Sequence, residues 1–512
     1  MKKLLLQTIF LLCCSNVLGL TNYVWQGSPS PTSPFNSWET ASHSIQYALS
    51  FADEGNVVLV TNGVYSFLTE IKVSTNNLII KSVNGAAETI ISGSSAGRCI
   101  YLTGNNCVID GFLIRNGSSS GDGGGIYVKN NGTIINCSFT NNTCYHLYKG
   151  GAVFGRNVLI SNCYFKENIA GDGGGVSAED NSLIINCVFE YNHSTNYSSG
   201  FGGAIYGRYK TTISDCVIIS NSSQNTGGGI DIRNTGMVVN CQINGNSAGN
   251  ISGGIYLDDN CVISNCLING NKAGYLGGGI LIGDSKMSNC IISENHSDNE
   301  GGGIYNYSSF ISDCEIKGNN ADEIGGGVYC SRGLFENCLI FGANSAKIGG
   351  GVYSYNSEFY NCTIAGNFAL SAGGGIACTN GVNVVNTIIY NNIAAQGANW
   401  QNYYPGNPFV YSYCCTVPTN DLPNDYQCIP DNPNFISSGV DYHLQETSPC
   451  RNSGTNMAWM IGSTDLDGNP RIIGDKVDMG CYEFVPEPGI YLLFIIYQLL
   501  FINYCKKKRF LI

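Results

Sequence analysis

At 512 residues, with 66 glycines, 24 cysteines and only 12% charged residues, the chain departs far from ordinary globular usage. A hydrophobic fraction of 43% can bury a large core and excludes a disordered chain. A formal net charge of −12 argues against nucleic acid or anionic membrane as partners, and it is compatible with bound divalent cations.

In chain order, the first element is a targeting segment. Met1-Lys2-Lys3 is a basic start, residues 4–14 are apolar, and short residues run to Gly19, so 1–19 reads as a signal peptide. Its apolar stretch is too short to span a bilayer. Residues 20–120 follow as an N-terminal cap and first coils, with a short amphipathic helix over 44–52 ahead of a strand at 57–60. Residues 46–65 resemble the start of pectin-lyase-like β-helices.

Residues 121–395 are a repeat. Glycine clusters recur at Gly123, Gly150, Gly173, Gly202, Gly227, Gly253, Gly277, Gly301, Gly325, Gly349 and Gly373. In step with them come Cys137, Cys163, Cys187, Cys216, Cys241, Cys266, Cys290, Cys314, Cys338 and Cys362, with Thr387 in the eleventh place. Short Ile- and Val-rich runs punctuated by Gly and Asn are strand and turn chemistry. A period near two dozen residues with three short strands predicts one coil of a parallel β-helix per repeat. The expected fold class is all-β: a right-handed, single-stranded parallel β-helix with a short N-terminal capping helix. Eleven coils rising about 4.8 Å each give roughly 50 Å of rod.

The cysteines are expected as an inward thiol ladder, because in-register parallel side chains point alike and do not face one another. Asn142, Asn168, Asn192, Asn221, Asn246, Asn271, Asn295 and Asn319, and the Asn or Asp before each cysteine, mark turns where left-handed backbone and amide ladders are expected. In the Cys338 coil, Ala343 precedes Asn344, so that turn is shifted by one residue. Gly-Gly-Ala-Ile at Gly202 to Ile205, with Phe-x-x-Asn at Phe139, Phe165 and Phe189, resembles the polymorphic outer-membrane protein repeat. That resemblance implies a β-helical region displayed on a bacterial surface and linked to adhesion. No room remains for an autotransporter barrel.

Residues 396–484 hold the last coils and a closing region. Asp441-Tyr442-His443-Leu444, Ser448-Pro449-Cys450, Asp465-Leu466-Asp467-Gly468 and Val477-Asp478-Met479-Gly480-Cys481-Tyr482-Glu483 resemble the choice-of-anchor Q domain, which implies an end cap before an anchor. Cys450 and Cys481 are the disulfide candidates of an exported chain. Cys414, Cys415 and Cys428 are either oxidised or a zinc site. Residues 485–512 open with Val485-Pro486-Glu487-Pro488, continue through an apolar run over 489–505 and end in Lys506-Lys507-Lys508-Arg509. This tail resembles the PEP-CTERM sorting signal, which implies an exosortase-like processing enzyme as partner. A permanent anchor is the other reading. Either way the body is expected outside the cytoplasm, at the cell surface or in the matrix, with the membrane reached through the C-terminal segment.

Parallel β-helices often cleave acidic polysaccharides, so a polysaccharide lyase or glycoside hydrolase is one reading. A lyase needs a base and charge neutralisation, and a hydrolase needs two opposed carboxylates. Asp258 and Asp259 are the acidic pair singled out in the repeats, beside a turn, and the catalytic motifs of polygalacturonases and pectate lyases are missing. His146, His193 and His296 fall in different coils. No cofactor is expected; Asp122, Asp172, Glu300 and Glu323 near the glycine clusters are the residues that could bind Ca²⁺, without a regular calcium nonapeptide. One surface feature remains. The residue after each inward Ile or Val of the glycine strand points out, and it is aromatic at Tyr127, Phe154, Tyr206, Tyr256, Tyr305, Tyr329 and Tyr353. Tyr256, Tyr305, Tyr329 and Tyr353 form an expected exposed stripe that could bind sugar or a partner protein, or simply cover glycine-rich backbone. The leading expectation is a non-catalytic binder of polysaccharide or an envelope protein; the others are the enzyme and a purely structural rod.

Overall fold

The computed structural model describes residues 19–486, apart from 68, 94–96, 199, 404–408, 421 and 424. The targeting segment over 1–18 and the tail from 487 lie outside the described residues. Among the described residues no helix is long and apolar enough to cross a membrane.

Short strands pair in parallel with their equivalents one coil later, and the chain winds into a right-handed β-helix. Each repeat has four faces, one more than the sequence suggests. The coil that begins at Ile304 shows them: Ile304–Tyr307, Phe310–Ser312, Glu315–Lys317 and Asn320–Ala321 are faces one to four. A two-residue strand such as Asn320–Ala321 has no room for an alternating pattern, so it reads as a turn. Among the described residues, faces one to four stack 14, 17, 15 and 12 strands. On face one, Ile71–Val73 and Ile100–Leu102 precede the glycine coils and Trp400–Asn402 follows them.

Alternation along each strand fills the core. Ile304, Ile311 and Ile316 point inward from three faces of one coil and are fully buried. Like residues then stack along the axis: Phe139, Phe165 and Phe189 lie with ring centroids 4.8 and 4.5 Å apart and nearly parallel planes. The cysteine ladder is buried and its thiols are free. Each thiol is satisfied locally, as where Cys290 Sγ donates to Ser288 O at 3.2 Å.

The asparagines before face four form a continuous amide ladder. From Asn142 to Asn399, through Asn344, Asn367 and Asn392, each Nδ2 donates to the Oδ1 of the next at 2.9–3.2 Å. Asn399 Nδ2 ends the series on Val417 O at 2.9 Å. The turn itself differs from expectation. The left-handed residue is the one before the ladder asparagine, among them Asn141 (φ 54°), Glu167 (φ 55°) and Glu294 (φ 55°). The ladder amide needs an ordinary backbone to aim along the axis, so its neighbour takes the strained position. Ala343 (φ 63°) absorbs the extra residue of its coil and leaves Asn344 in line. At the next corner the glycine cluster has a steric cause. A Cβ on Gly302 would sit 2.2 Å from Asn320 O, and one on Gly303 2.9 Å from the Asn319 amide.

At the N-terminal end, Thr21–Val24 pairs with Val57–Val60, and a helix over Ile45–Leu49 buries Ile45, Ala48 and Leu49. Ser44 Oγ accepts from the Tyr47 amide and starts that helix. Its five residues are fewer than the nine expected over 44–52. At the other end, Phe409, Tyr411, Cys414 and Leu422 join the main core. The segment expected as an end cap lies elsewhere. The antiparallel hairpin Phe435–Ser437 and Asp441–Leu444, with residues up to 484, folds back as a flap on the outer side of face three. There Phe435, Tyr442, Leu444, Cys450, Met479 and Cys481 bury Leu339, Ala365, Ile388 and Cys415. Asn386 Nδ2 donates to Thr455 O at 2.9 Å, and the Gly480 amide donates to Asn386 O at 2.7 Å.

Candidate functional site

Face one carries the side chains that the core does not explain. Its outward column reads Tyr127, Phe154, Ser177, Tyr206, Asp231, Tyr256, Leu281, Tyr305, Tyr329 and Tyr353 in successive coils. A second outward column, two residues on, reads Arg156, Glu179, Arg208, Arg233 and Asp258 in the central coils.

The aromatic stripe is not freely exposed as expected. Phe154 and Tyr206 are buried, and Tyr256, Tyr305, Tyr329 and Tyr353 are half-buried. The reason is mutual stacking: Tyr305 and Tyr329 lie 4.5 Å apart at 2°, and Tyr329 and Tyr353 5.5 Å apart at 15°. The rings cover one another's faces, and the Tyr305 and Tyr329 hydroxyls lie within hydrogen-bond reach of each other. Free aromatic surface belongs to neighbours that the stripe pattern overlooked, Tyr275, Tyr307 and Tyr355. Arg332 stacks over the Tyr307 ring at 4.6 Å and donates to its hydroxyl at 2.8 Å.

Between the aromatic ends lies a charged belt. Asp231 is fully buried and accepts two hydrogen bonds from Arg233, at 2.8 and 2.9 Å. Burial pushes its carboxyl up to about 6 against the pull of that guanidinium. Arg233 is thereby held over the rings of Phe201 and Tyr256, at 4.3 and 4.5 Å. Glu179 is likewise clamped by Lys149 at 3.0 Å and Arg156 at 3.2 Å. Ser177 Oγ and Arg208 Nε are buried without a hydrogen-bond partner in the protein. Spacing alone misses this belt. Its signal is substitution within the register, as where Gly-Gly-Gly-Ile-Asp replaces Gly-Gly-Gly-Ile-Tyr at Asp231.

Asp258 and Asp259 do not act as a pair. Asp258 faces the belt and accepts from the Tyr256 hydroxyl at 3.1 Å, whereas Asp259 sits in the turn at φ 63° and is bonded to Asn234 Nδ2 at 2.9 Å. Three of the four acids near the glycine clusters are engaged too: Asp122 accepts from the Lys149 amide, Asp172 from the Phe201 amide, and Glu323 pairs with Lys347 at 3.0 Å, whereas Glu300 is half-buried and burial raises its carboxyl. On face four, ligand atoms of His296, Asp298 and Asp322 lie within 4.8 Å of one another, and Lys272 already neutralises Asp298 at 3.0 Å. Cys450 and Cys481 are both buried in the flap and lie over different coils, Cys450 against Cys415 and Cys481 against Thr363.

The flap has its own electrostatics. His443 bridges Asp441 at 2.5 Å and Asp467 at 2.6 Å, its ring stacks on Tyr482 at 3.9 Å, and a cavity of about 590 Å³ opens beside it towards Glu483 and Phe484. Burial works against its charge, but Asp441 and Asp467 outweigh it and hold its pKa above the ordinary value. A raised folded pKa gives stability that is complete below the unfolded value of about 6.5 and is lost as pH rises through the folded pKa. Flap protection from protease is therefore expected to weaken as pH rises from 6 to 9. In His443→Gln that slope should shrink to the part that the raised Glu483 carboxyl contributes with the same sign; an unchanged slope would assign all of it to Glu483 or another group.

A family model described as the right-handed β-helix region matches residues 157–310, and the Chlamydia polymorphic membrane protein repeat matches residues 136–156. No curated protein matches the chain. Among solved structures, the chain is similar to the catalytic domain of Agl-KA at 14% identity and a TM-score of 0.32, covering 70% of this chain and 62% of that one. It is similar to pectate lyase Pel9A at 13% and 0.27, covering 91% and 96%. For the A-module of the mannuronan C-5 epimerase AlgE4 from Azotobacter vinelandii the figures are 13% and 0.29, covering 76% and 100%. Likeness at this level carries no argument.

Proposed function

We propose that the chain is a non-catalytic, surface-displayed β-helix that binds polysaccharide along face one. The observation that carries this reading is the row of tyrosine edges at Tyr305, Tyr329 and Tyr353, flanked by the exposed ring of Tyr355 and by Tyr307, whose ring Arg332 covers on one side. Hydroxyls at one-coil intervals offer hydrogen bonds to a chain of sugars, and the flanking rings offer apolar faces. The carboxylates of the belt are committed: Asp231 to Arg233, Glu179 to Lys149 and Arg156. Surface display is supported by the match to the polymorphic membrane protein repeat and by the export and sorting signals read at 1–19 and 485–512.

The test is glycan binding and reducing-end release on one panel of neutral and acidic polysaccharides. Binding without release is expected. Tyr307→Ala combined with Tyr355→Ala should weaken binding at least tenfold with thermal unfolding within a few degrees of the parent, since neither ring is buried. Sustained release from any polymer would replace the binder by an enzyme. Binding to none, by protein shown to be folded, would leave a structural rod.

A further inference from the structure

The ladder cysteines share one geometry, and Cys415 does not follow it. The ladder thiols stand at the corner before face three and point the same way, coil after coil. Cys414 continues the ladder, and Cys428 follows it in the next turn: the Cys414 amide donates to Cys428 Sγ at 3.4 Å, and Asp425–Tyr426 pairs in parallel with residues 411–412. Cys415, the next residue, opens a face-three strand in register with Ile388, so its side chain points out of the solenoid.

What covers Cys415 is the flap. Cys450 is wholly buried in the same apolar cluster, and its amide donates to Ser448 Oγ at 3.1 Å. Its carbonyl accepts from the Met479 amide at 3.0 Å, which fixes its depth in the flap. One thiol leaves the coil and the other enters from the covering layer, so they meet head-on and within hydrogen-bond reach. Tyr390 closes the site beside both. Cys481 is set over Thr363, whose Oγ1 accepts from its amide at 3.1 Å. Thr363 lies two rungs before Cys415, through Ile388. Two rungs of about 4.8 Å place Cys481 beyond the roughly 7 Å Cα reach of a disulfide to a residue at Cys415 depth.

We propose that Cys415 and Cys450 form a disulfide that fastens the flap to the last coils, while the ladder cysteines and Cys481 remain thiols. The exchange is balanced by an external disulfide, small or protein-borne. The two thiols give up two protons and two electrons as the new S–S bond forms, and the oxidant leaves as two thiols. The hydrogen bond with Cys450, and then burial in the docked flap, raise the Cys415 thiol, and the flap shields it, so the exchange belongs to folding, before the flap closes.

The experiment maps linkage in the full chain after folding in a glutathione redox buffer. The protein is denatured in acid with N-ethylmaleimide, digested and sequenced by mass spectrometry. One cross-linked peptide joining Cys415 to Cys450 is expected, with maleimide on Cys414, Cys428, Cys481 and the ladder. Maleimide on Cys450, or Cys450 joined to Cys481 or Cys414, would overturn the proposal. Cys481→Ala should keep the cross-link, and Cys450→Ala should leave Cys415 alkylated; because the mapping is made on the unaltered chain, a variant that misfolds does not decide the outcome.

Discussion

Replacing Asn295 by alanine is expected to lower the unfolding free energy of the central coils by about 4 kcal/mol, from two or three orphaned polar groups at about 1–3 kcal/mol each. Asn295 Oδ1 accepts from both the amide and the Nδ2 of Asn271, and its Nδ2 donates to Ile268 O and Asn319 Oδ1. The site is sealed, with Asn271, Asn295 and Asn319 no more than 1% exposed, so water cannot take over those bonds. A solenoid is stabilised by neighbour contacts, so the damage should centre on residues 268–320 and fade along the axis. Hydrogen exchange resolves this: amides of those coils should lose protection while those near Val58 keep theirs. Lys286→Ala, on an exposed outward position of face two, is the control and should stay within about 0.5 kcal/mol. Asn295→Asp adds a sign test. A buried carboxyl has a raised pKa, so the variant should be closest to the parent at acid pH and worsen as pH rises. Uniform protection loss, or none, would mean that the amide ladder is not what holds the coils in register.

How far the sequence reveals this architecture depends on whether a feature repeats. The thiol ladder, the amide ladder and the coil length recur at fixed spacing, and each corresponds to a column in the structure. The fourth face escapes because two residues cannot show an alternation. The belt escapes because it consists of exceptions: Asp231 stands where the register calls for an aromatic residue, and Glu179 where it calls for a surface polar one that water would satisfy. Only register places Lys149, Arg156 and Glu179 together, since they come from two coils. The stripe was legible as an outward column, yet its exposure was not, because stacking between successive tyrosines is a three-dimensional fact. The flap left a readable trace. In the second outward column of face three, Asn244, Asn269, Ser293 and Lys317 are polar, and the Phe341, Ala365 and Tyr390 that follow them are not charged and carry apolar or aromatic surface. A wall that turns apolar on its outside calls for a cover, and residues 435–484 supply it.

That cover depends on Arg471, and Arg471→Leu is expected to cost about 3–5 kcal/mol of flap stability, the usual penalty for stripping one partner from a buried ion cluster. The Arg471 side chain is wholly buried, with Glu483 at 3.5 Å and Nη2 donating to the carbonyls of Gly480 and Asp478 at 2.5 and 3.3 Å. Around it Asp465, Asp478 and Glu483 are each no more than 3% exposed. Burial pushes the Glu483 carboxyl up to about 8, even with the guanidinium pulling the other way, and raises Asp478 as well. Leucine fills space but supplies no charge, so any of these carboxyls that ionises does so in an apolar layer without its cation. The flap should come away from Leu339 and Ile388 while the coils stay folded. Native maleimide labelling of Cys481 reports the first, and far-UV circular dichroism the second. Because raised carboxyl pKa values favour the protonated, docked form, the defect should shrink as pH falls towards 5 and grow towards 9. Labelling that is rapid at every pH would mean that the cation acts through its hydrogen bonds to Gly480 and Asp478. Labelling as slow as in the parent would mean that apolar burial alone holds the flap, and the cluster would then set the path of the chain within it rather than its attachment.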